Sequence, residues 1–148
     1  MIDFIINYFN PNKKEIKVNS YKTWFAVGLL IQFIYNIYVF TIKNDIYSYA
    51  LLSAFISSVI VLLIGWFSNS LVVYIIFKIV LKRMNLSLRE LLVNYLPYYI
   101  TQNLYFIILA WILSFLSMDE NIILRIIEVM LSIYTFILFL KRQQVTKG

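Results

Sequence analysis

The 148 residues include no cysteine and no histidine, and each absence removes a class of chemistry. Without cysteine there is no disulfide framework, no thiolate metal site and no thiol nucleophile. Without histidine, the commonest general base and the commonest transition-metal ligand are missing as well. Charge is also sparse. Only 14% of residues are charged, and they gather in short segments that leave long stretches with none. No internal repeat, low-complexity linker or second domain interrupts the pattern.

What fills the chain is apolar. Hydrophobic residues make up 62% of it and mean hydropathy is +0.82, well above soluble domains, so the solvent for most of the chain is lipid. The net charge of +6 is of the kind that binds nucleic acid, but nearly all of it lies beside apolar segments. Its expected partners are anionic lipid headgroups at the cytoplasmic face, with no nucleic acid and no cofactor.

The expected fold class is an all-α, polytopic transmembrane helical bundle of about four spans, forming a single membrane domain over residues 1–148. Residues 1–10 are apolar apart from Asp3, Asn7 and Asn10, which recur on one side at helical spacing, and this reads as an interfacial helix closed by Pro11. It lacks the basic start and small-residue cleavage site of a signal peptide, so it is expected to be retained. The first span is 24–42, with Trp24 placed as an interfacial aromatic.

The next apolar run, 50–81, would measure about 48 Å as one helix against about 30 Å of hydrocarbon. It must tilt, protrude or break. A break at Gly65–Ser70 leaves Leu71–Leu81 only about 16 Å long, too short to cross, so one helix emerging into the cytoplasm is expected. Ser87-Leu88-Arg89-Glu90 has the form of a capping box that starts a third helix, spanning 91–116 and kinked at Pro97. The fourth span is 122–140, stopped by Lys141 and Arg142.

Lysine and arginine in short loops set orientation. With both termini cytoplasmic, the inner side holds Lys13, Lys14, Lys17, Lys22, Lys78, Lys82, Arg83, Arg89, Lys141, Arg142 and Lys147, and the outer side only Lys43 and Arg125. A fifth span anywhere in the middle would spoil that asymmetry.

The spans carry amides and hydroxyls in place of charge. Counting from the helix ends puts Gln32 and Asn36, Ser68, Asn69 and Ser70, Gln102 and Asn103, and Ser132 and Thr135 at about the same depth. An amide facing hydrocarbon costs several kcal/mol unless bonded, so these groups are expected to face one another, either as interhelical glue or as a path for a small solute. Asn94, Tyr98, Thr101 and Tyr105 form a stripe flanking Pro97, which serves either packing or a hinge. Ala54 with Ser58, and Ser53 with Ser57, have the spacing that lets helices approach closely. Lys78, Lys82, Arg83 and Arg89 form a cytoplasmic basic patch that is a topology signal or docks headgroups or an acidic partner.

The segment from Gly65-Trp66 along the long helix to Lys82-Arg83, then Ser87-Leu88-Arg89-Glu90-Leu91-Leu92 and Tyr95-Leu96-Pro97, resembles the Yip (Ypt-interacting protein) family. The shared pattern is a small-plus-aromatic step in a long helix, a short cytoplasmic turn, an amphipathic start and an early proline in the next span. It covers about a quarter of the chain. Met84-Asn85 stand where the family usually has glycine, and four spans are counted where it usually has five. The resemblance implies a non-enzymatic protein with a cytoplasmic N-terminus. Eukaryotic members act in vesicle trafficking with small GTPases, and bacterial ones are often accessory subunits of ABC-type exporters. The short loops point to the bacterial type, in the plasma membrane.

Three functions are therefore expected to compete: an accessory or scaffolding subunit that binds a larger membrane protein or its own copy, a small-solute transporter or channel using the polar groups of the spans, and a bacteriocin immunity protein. Proteolysis, phosphoryl transfer and metal hydrolysis need groups that this chain lacks or holds far apart, so no catalytic residue and no metal ligand is assigned.

Overall fold

The computed structural model describes residues 1–10, 21–43, 50–80, 87–116 and 120–147. Among the described residues every regular element is helical. They are α1 (Ile2–Ile6), α2 (Tyr21–Tyr38), α3 (Ala50–Ile75), α4 (Leu88–Phe115) and α5 (Glu120–Lys147). Four helices are long and apolar enough to cross a membrane, over Tyr21–Thr41, Leu51–Ile79, Leu88–Phe115 and Ile122–Arg142. The protein has the helical, multi-pass form that its composition requires.

The long second run is continuous. α3 passes through Gly65 and Ser68–Ser70 without interruption and passes into a π-helical turn at Ile76–Val80. Helix and turn comprise 26 and 5 residues, a rod of about 46 Å. A similar π turn at Val39–Lys43 ends α2, where the Thr41 hydroxyl donates to the Ile37 carbonyl at 2.6 Å. The third helix starts as its sequence dictates. Glu90 N–H donates to Ser87 Oγ at 3.3 Å and Ser87 N–H donates to the Glu90 carboxylate at 3.1 Å, a reciprocal cap that satisfies two otherwise orphaned donors.

Only Ile2–Ile6 of the expected 1–10 helix is helical. Asn7 explains the early stop, because its side-chain amide donates to the Asp3 carbonyl at 2.7 Å and its backbone turns to φ −92°, ψ 9°. Asparagine competes with the backbone for such carbonyls and so ends helices readily.

The chain divides into two compact units, Met1–Ser20 with Pro97–Gly148, and Tyr21–Leu96. The division falls inside α4, at its one proline. In the Tyr21–Leu96 unit, α2 turns Trp24, Gly28 and Gln32 inward, one residue per helical turn. On α3 Ala54, Ser58, Leu62, Ser70 and Val73 are buried, and so is Phe77 in the turn that follows. The small side chains of Gly28, Ala54 and Ser58 let the helices come close. In the other unit α1 turns Phe4 inward, and Tyr8 follows it. Tyr98, Thr101 and Ile107 of α4 and Leu131, Thr135, Leu138 and Phe139 of α5 complete that core.

Candidate functional site

Two polar knots and one carbonyl clasp are built from these helices, and each lies wholly within one unit. The first knot joins α2 to α3. The Gln32 amide nitrogen donates to Asn36 Oδ1 at 3.1 Å, and Asn36 Nδ2 donates to Ser57 Oγ at 3.1 Å and Ser58 Oγ at 3.0 Å. Gln32 and Asn36 share a face because they stand four residues apart on a helix. Ser58 also donates to the Ala54 carbonyl, and Ser57 donates to the same carbonyl at 3.3 Å, so the hydroxyls are oriented before the amide reaches them.

The second knot joins α4 to α5. Gln102 Nε2 donates to Ser132 Oγ at 2.9 Å, and Ser132 in turn donates to the Glu128 carbonyl at 2.8 Å. Gln102 Oε1 is buried with no hydrogen-bond partner among the described residues. Asn103, its neighbour, is half-buried.

The clasp holds the N-terminal segment. A helix leaves its last carbonyls without partners, and α1 is short enough that this defect dominates it. Tyr105 of α4 donates its phenol to the Ile5 carbonyl at 2.8 Å, and Tyr134 of α5 donates to the Tyr8 carbonyl at 3.2 Å. Arg142 Nη2 donates to the Asn7 carbonyl at 2.9 Å. Its guanidinium also lies over the rings of Phe4 and Tyr98, at 5.5 and 5.6 Å. A cation at a helix C-terminus is favoured by the backbone dipoles, and arginine loses less than lysine by leaving water, so a guanidinium only 2% exposed is tolerated here.

Aromatic side chains complete the clasp. Tyr8 stacks on Tyr105 at 5.4 Å, and Phe9 meets Tyr105 edge-on at 4.6 Å. Phe4 and Phe139 each meet Tyr98 edge-on, at 5.0 and 5.2 Å. The Tyr8 phenol is hydrogen-bonded to Thr135 Oγ1. Burial pushes that phenol well above its ordinary range, so it is a neutral group.

The residues singled out from sequence therefore divide. Gln32 and Asn36 come together, but their partners are Ser57 and Ser58, not Ser68, Asn69 or Ser70. Ser68 and Asn69 bond back to the Gly65 carbonyl of their own helix, at 3.2 and 2.7 Å. Ser70 is fully buried, and its hydroxyl has no partner among the described residues. Gln102 meets Ser132, whereas Thr135 turns to Tyr8.

Pro97 is buried. It removes the donor that the Val93 carbonyl would use, and Thr101 Oγ1 donates to the Pro97 carbonyl at 2.7 Å. One residue before Val93, the Leu92 carbonyl accepts the Trp66 indole N–H at 2.9 Å. Of the Asn94, Tyr98, Thr101 and Tyr105 stripe, the last three lie in the clasp unit, and Asn94 lines a cavity of about 560 Å³ with Ser87, Arg89, Glu90 and Val93. Of the basic patch, Lys78 is exposed and donates to the Tyr74 phenol at 2.7 Å. Lys82 and Arg83 lie outside the described residues.

Sequence reasoning missed the clasp. Arg142 stands where a stop-transfer cation belongs, and Tyr134 and Thr135 are ordinary span residues. The available signal was a short first helix closed by Asn7, with four tyrosines on α4 and one on α5 as donors for its carbonyls. Comparison with protein-family models, with curated proteins and with solved structures returned no match.

Proposed function

We infer that this chain is a non-enzymatic integral membrane protein of Yip-like type, acting as an accessory or scaffolding subunit of a larger membrane complex such as an ABC-type exporter in a bacterial plasma membrane. One observation carries the reading. The amides of Asn36 and Gln102 are engaged in tying helix to helix, by bonds to Ser57, Ser58 and Ser132, and Gln32 supports Asn36 within α2. Polar groups used in this way hold a bundle's shape and leave little to coordinate a passing solute.

The outer faces support it too. Ile60, Ile64, Phe67, Leu71 and Ile75 run along the exposed side of α3, with no carboxylate anywhere on that helix. Such a face suits lateral packing against another membrane protein. The cytoplasmic placement of both termini, read from eleven cations against two, belongs to the same proposal.

A second reading, a small-solute transporter or channel, is favoured by two buried atoms, Gln102 Oε1 and Ser70 Oγ, that lack partners among the described residues. Native complexes extracted in mild detergent separate the two. A scaffold co-purifies with a larger membrane protein and gives no flux when reconstituted alone. A transporter gives flux alone, and that flux falls when Gln102 or Asn69 is replaced by leucine. An immunity protein would instead be recognised by toxin sensitivity of cells lacking the gene.

A further inference from the structure

Between α2 and α3 lies an open apolar cavity of about 270 Å³, lined by Ala26, Leu29, Leu30, Phe33 and Phe55. It faces outward, since Ala26, Leu30 and Phe55 are exposed. Its floor is closed by Phe33 and Phe55, which meet edge-on at 6.1 Å. The Asn36 knot lies one helical turn beyond, and every side chain lining the groove among the described residues is apolar. Residues 22, 26, 29 or 30, and 33 repeat at helical spacing, so Lys22 stands at the head of the same stripe of α2, and it is exposed.

From Lys22 to Phe33 the helix rises about 16 Å, and one leaflet contributes about 15 Å of hydrocarbon. The stripe from Lys22 to Phe33 is thus about as long as one leaflet is deep. No aspartate or glutamate occurs in 21–43 or 50–80, the described residues of the two helices that form the groove. On these grounds we propose that the α2–α3 groove is a binding site for one anionic phospholipid, its phosphate on the Lys22 ammonium and one acyl chain in the channel floored by Phe33 and Phe55. A lysine near the headgroups reaches phosphate by extending its apolar stem along the helix, and this arrangement uses that reach.

The test is lipid retention by the purified full-length chain. After delipidation in mild detergent, the protein is titrated with phosphatidylglycerol or phosphatidylcholine and bound lipid is counted by native mass spectrometry. One phosphatidylglycerol per chain is expected, bound in preference to phosphatidylcholine. Lys22→Gln should cut that preference about fivefold. Leu30→Trp fills the channel and should abolish retention of both lipids, while Ile64→Trp, exposed on the side of α3 opposite Phe55, should leave it unchanged. If Leu30→Trp loses helicity, Ala26→Leu narrows the same channel and decides the matter. Wild-type retention by the channel-filling variant, or an unchanged lipid preference in Lys22→Gln, overturns the proposal.

Discussion

Replacing Arg142 with alanine should release the N-terminal segment while leaving the Tyr21–Leu96 unit intact. Among the described contacts, its guanidinium donates a good hydrogen bond to the Asn7 carbonyl at 2.9 Å and makes a contact of 3.5 Å to the Asn10 carbonyl that is too long to count for much. A hydrogen bond involving a charged group contributes about 1.5 kcal/mol at the lower end of its range. Each of the two ring contacts adds about 0.5–1 kcal/mol, and the side chain is too buried for solvent to screen it. Together these come to about 3 kcal/mol, a factor of about 150 in the ratio of docked to released segment.

Hydrogen–deuterium exchange in detergent micelles measures that ratio directly through the amides of Ile5, Asn7 and Tyr8, which donate to Met1, Asp3 and Ile5. In Arg142→Ala the 1–10 peptide should exchange on the order of 100-fold faster, with peptides from α2 and α3 unchanged. Arg142→Lys keeps the charge without the planar fork and should fall between. If the 1–10 peptide of Arg142→Ala exchanges at the wild-type rate, the clasp as drawn contributes nothing and the reasoning fails.

Asn36→Leu removes the hub of the α2–α3 knot and should cost about 1–2 kcal/mol, read as a lower midpoint of unfolding in detergent, whereas Ser68→Ala should change it little. Trp66→Phe keeps the ring but deletes the donor to Leu92, and a cost of about 1 kcal/mol is expected in the same measurement. Tyr8 gives a pH signature. Its phenol is raised in the folded chain, so its contribution is fully present below the ordinary phenol pKa of about 10 and is lost as pH rises above it. Exchange of the 1–10 peptide, corrected for intrinsic rate, should therefore accelerate above that pH in the wild type and show no such step in Tyr8→Phe.

The spans were legible because lipid imposes a length and a composition that a sequence cannot hide. Ser87 and Glu90 were legible for a similar reason, since a capping box is a contact three residues long. The polar partners were harder to read. Counting from helix ends places Ser68–Ser70 opposite Gln32 and Asn36, but α3 is far longer than one span needs, so a count along it does not fix which of its residues meets Asn36. The antiparallel pairing of Phe25 with Trp66, at 6.1 Å, and of Asn36 with Ser58 fixes the true register. Ser57 and Ser58 had been noticed only as small residues, and small size and a hydroxyl serve the same close approach. The Arg142 clasp was invisible for a different reason, because no local pattern records which distant carbonyls a side chain will find.

That clasp has a consequence for how the protein is made. The Tyr8 and Asn7 contacts join residues 127 and 135 positions apart in the chain. Residues 1–10 leave the ribosome well before Tyr134 and Arg142, so until those follow the segment lacks the phenol and guanidinium donors of its clasp and its buried-type aromatics have no seat. A nascent or prematurely terminated product consequently carries an unfastened, greasy beginning that cellular proteases can grip, and only the completed chain conceals it.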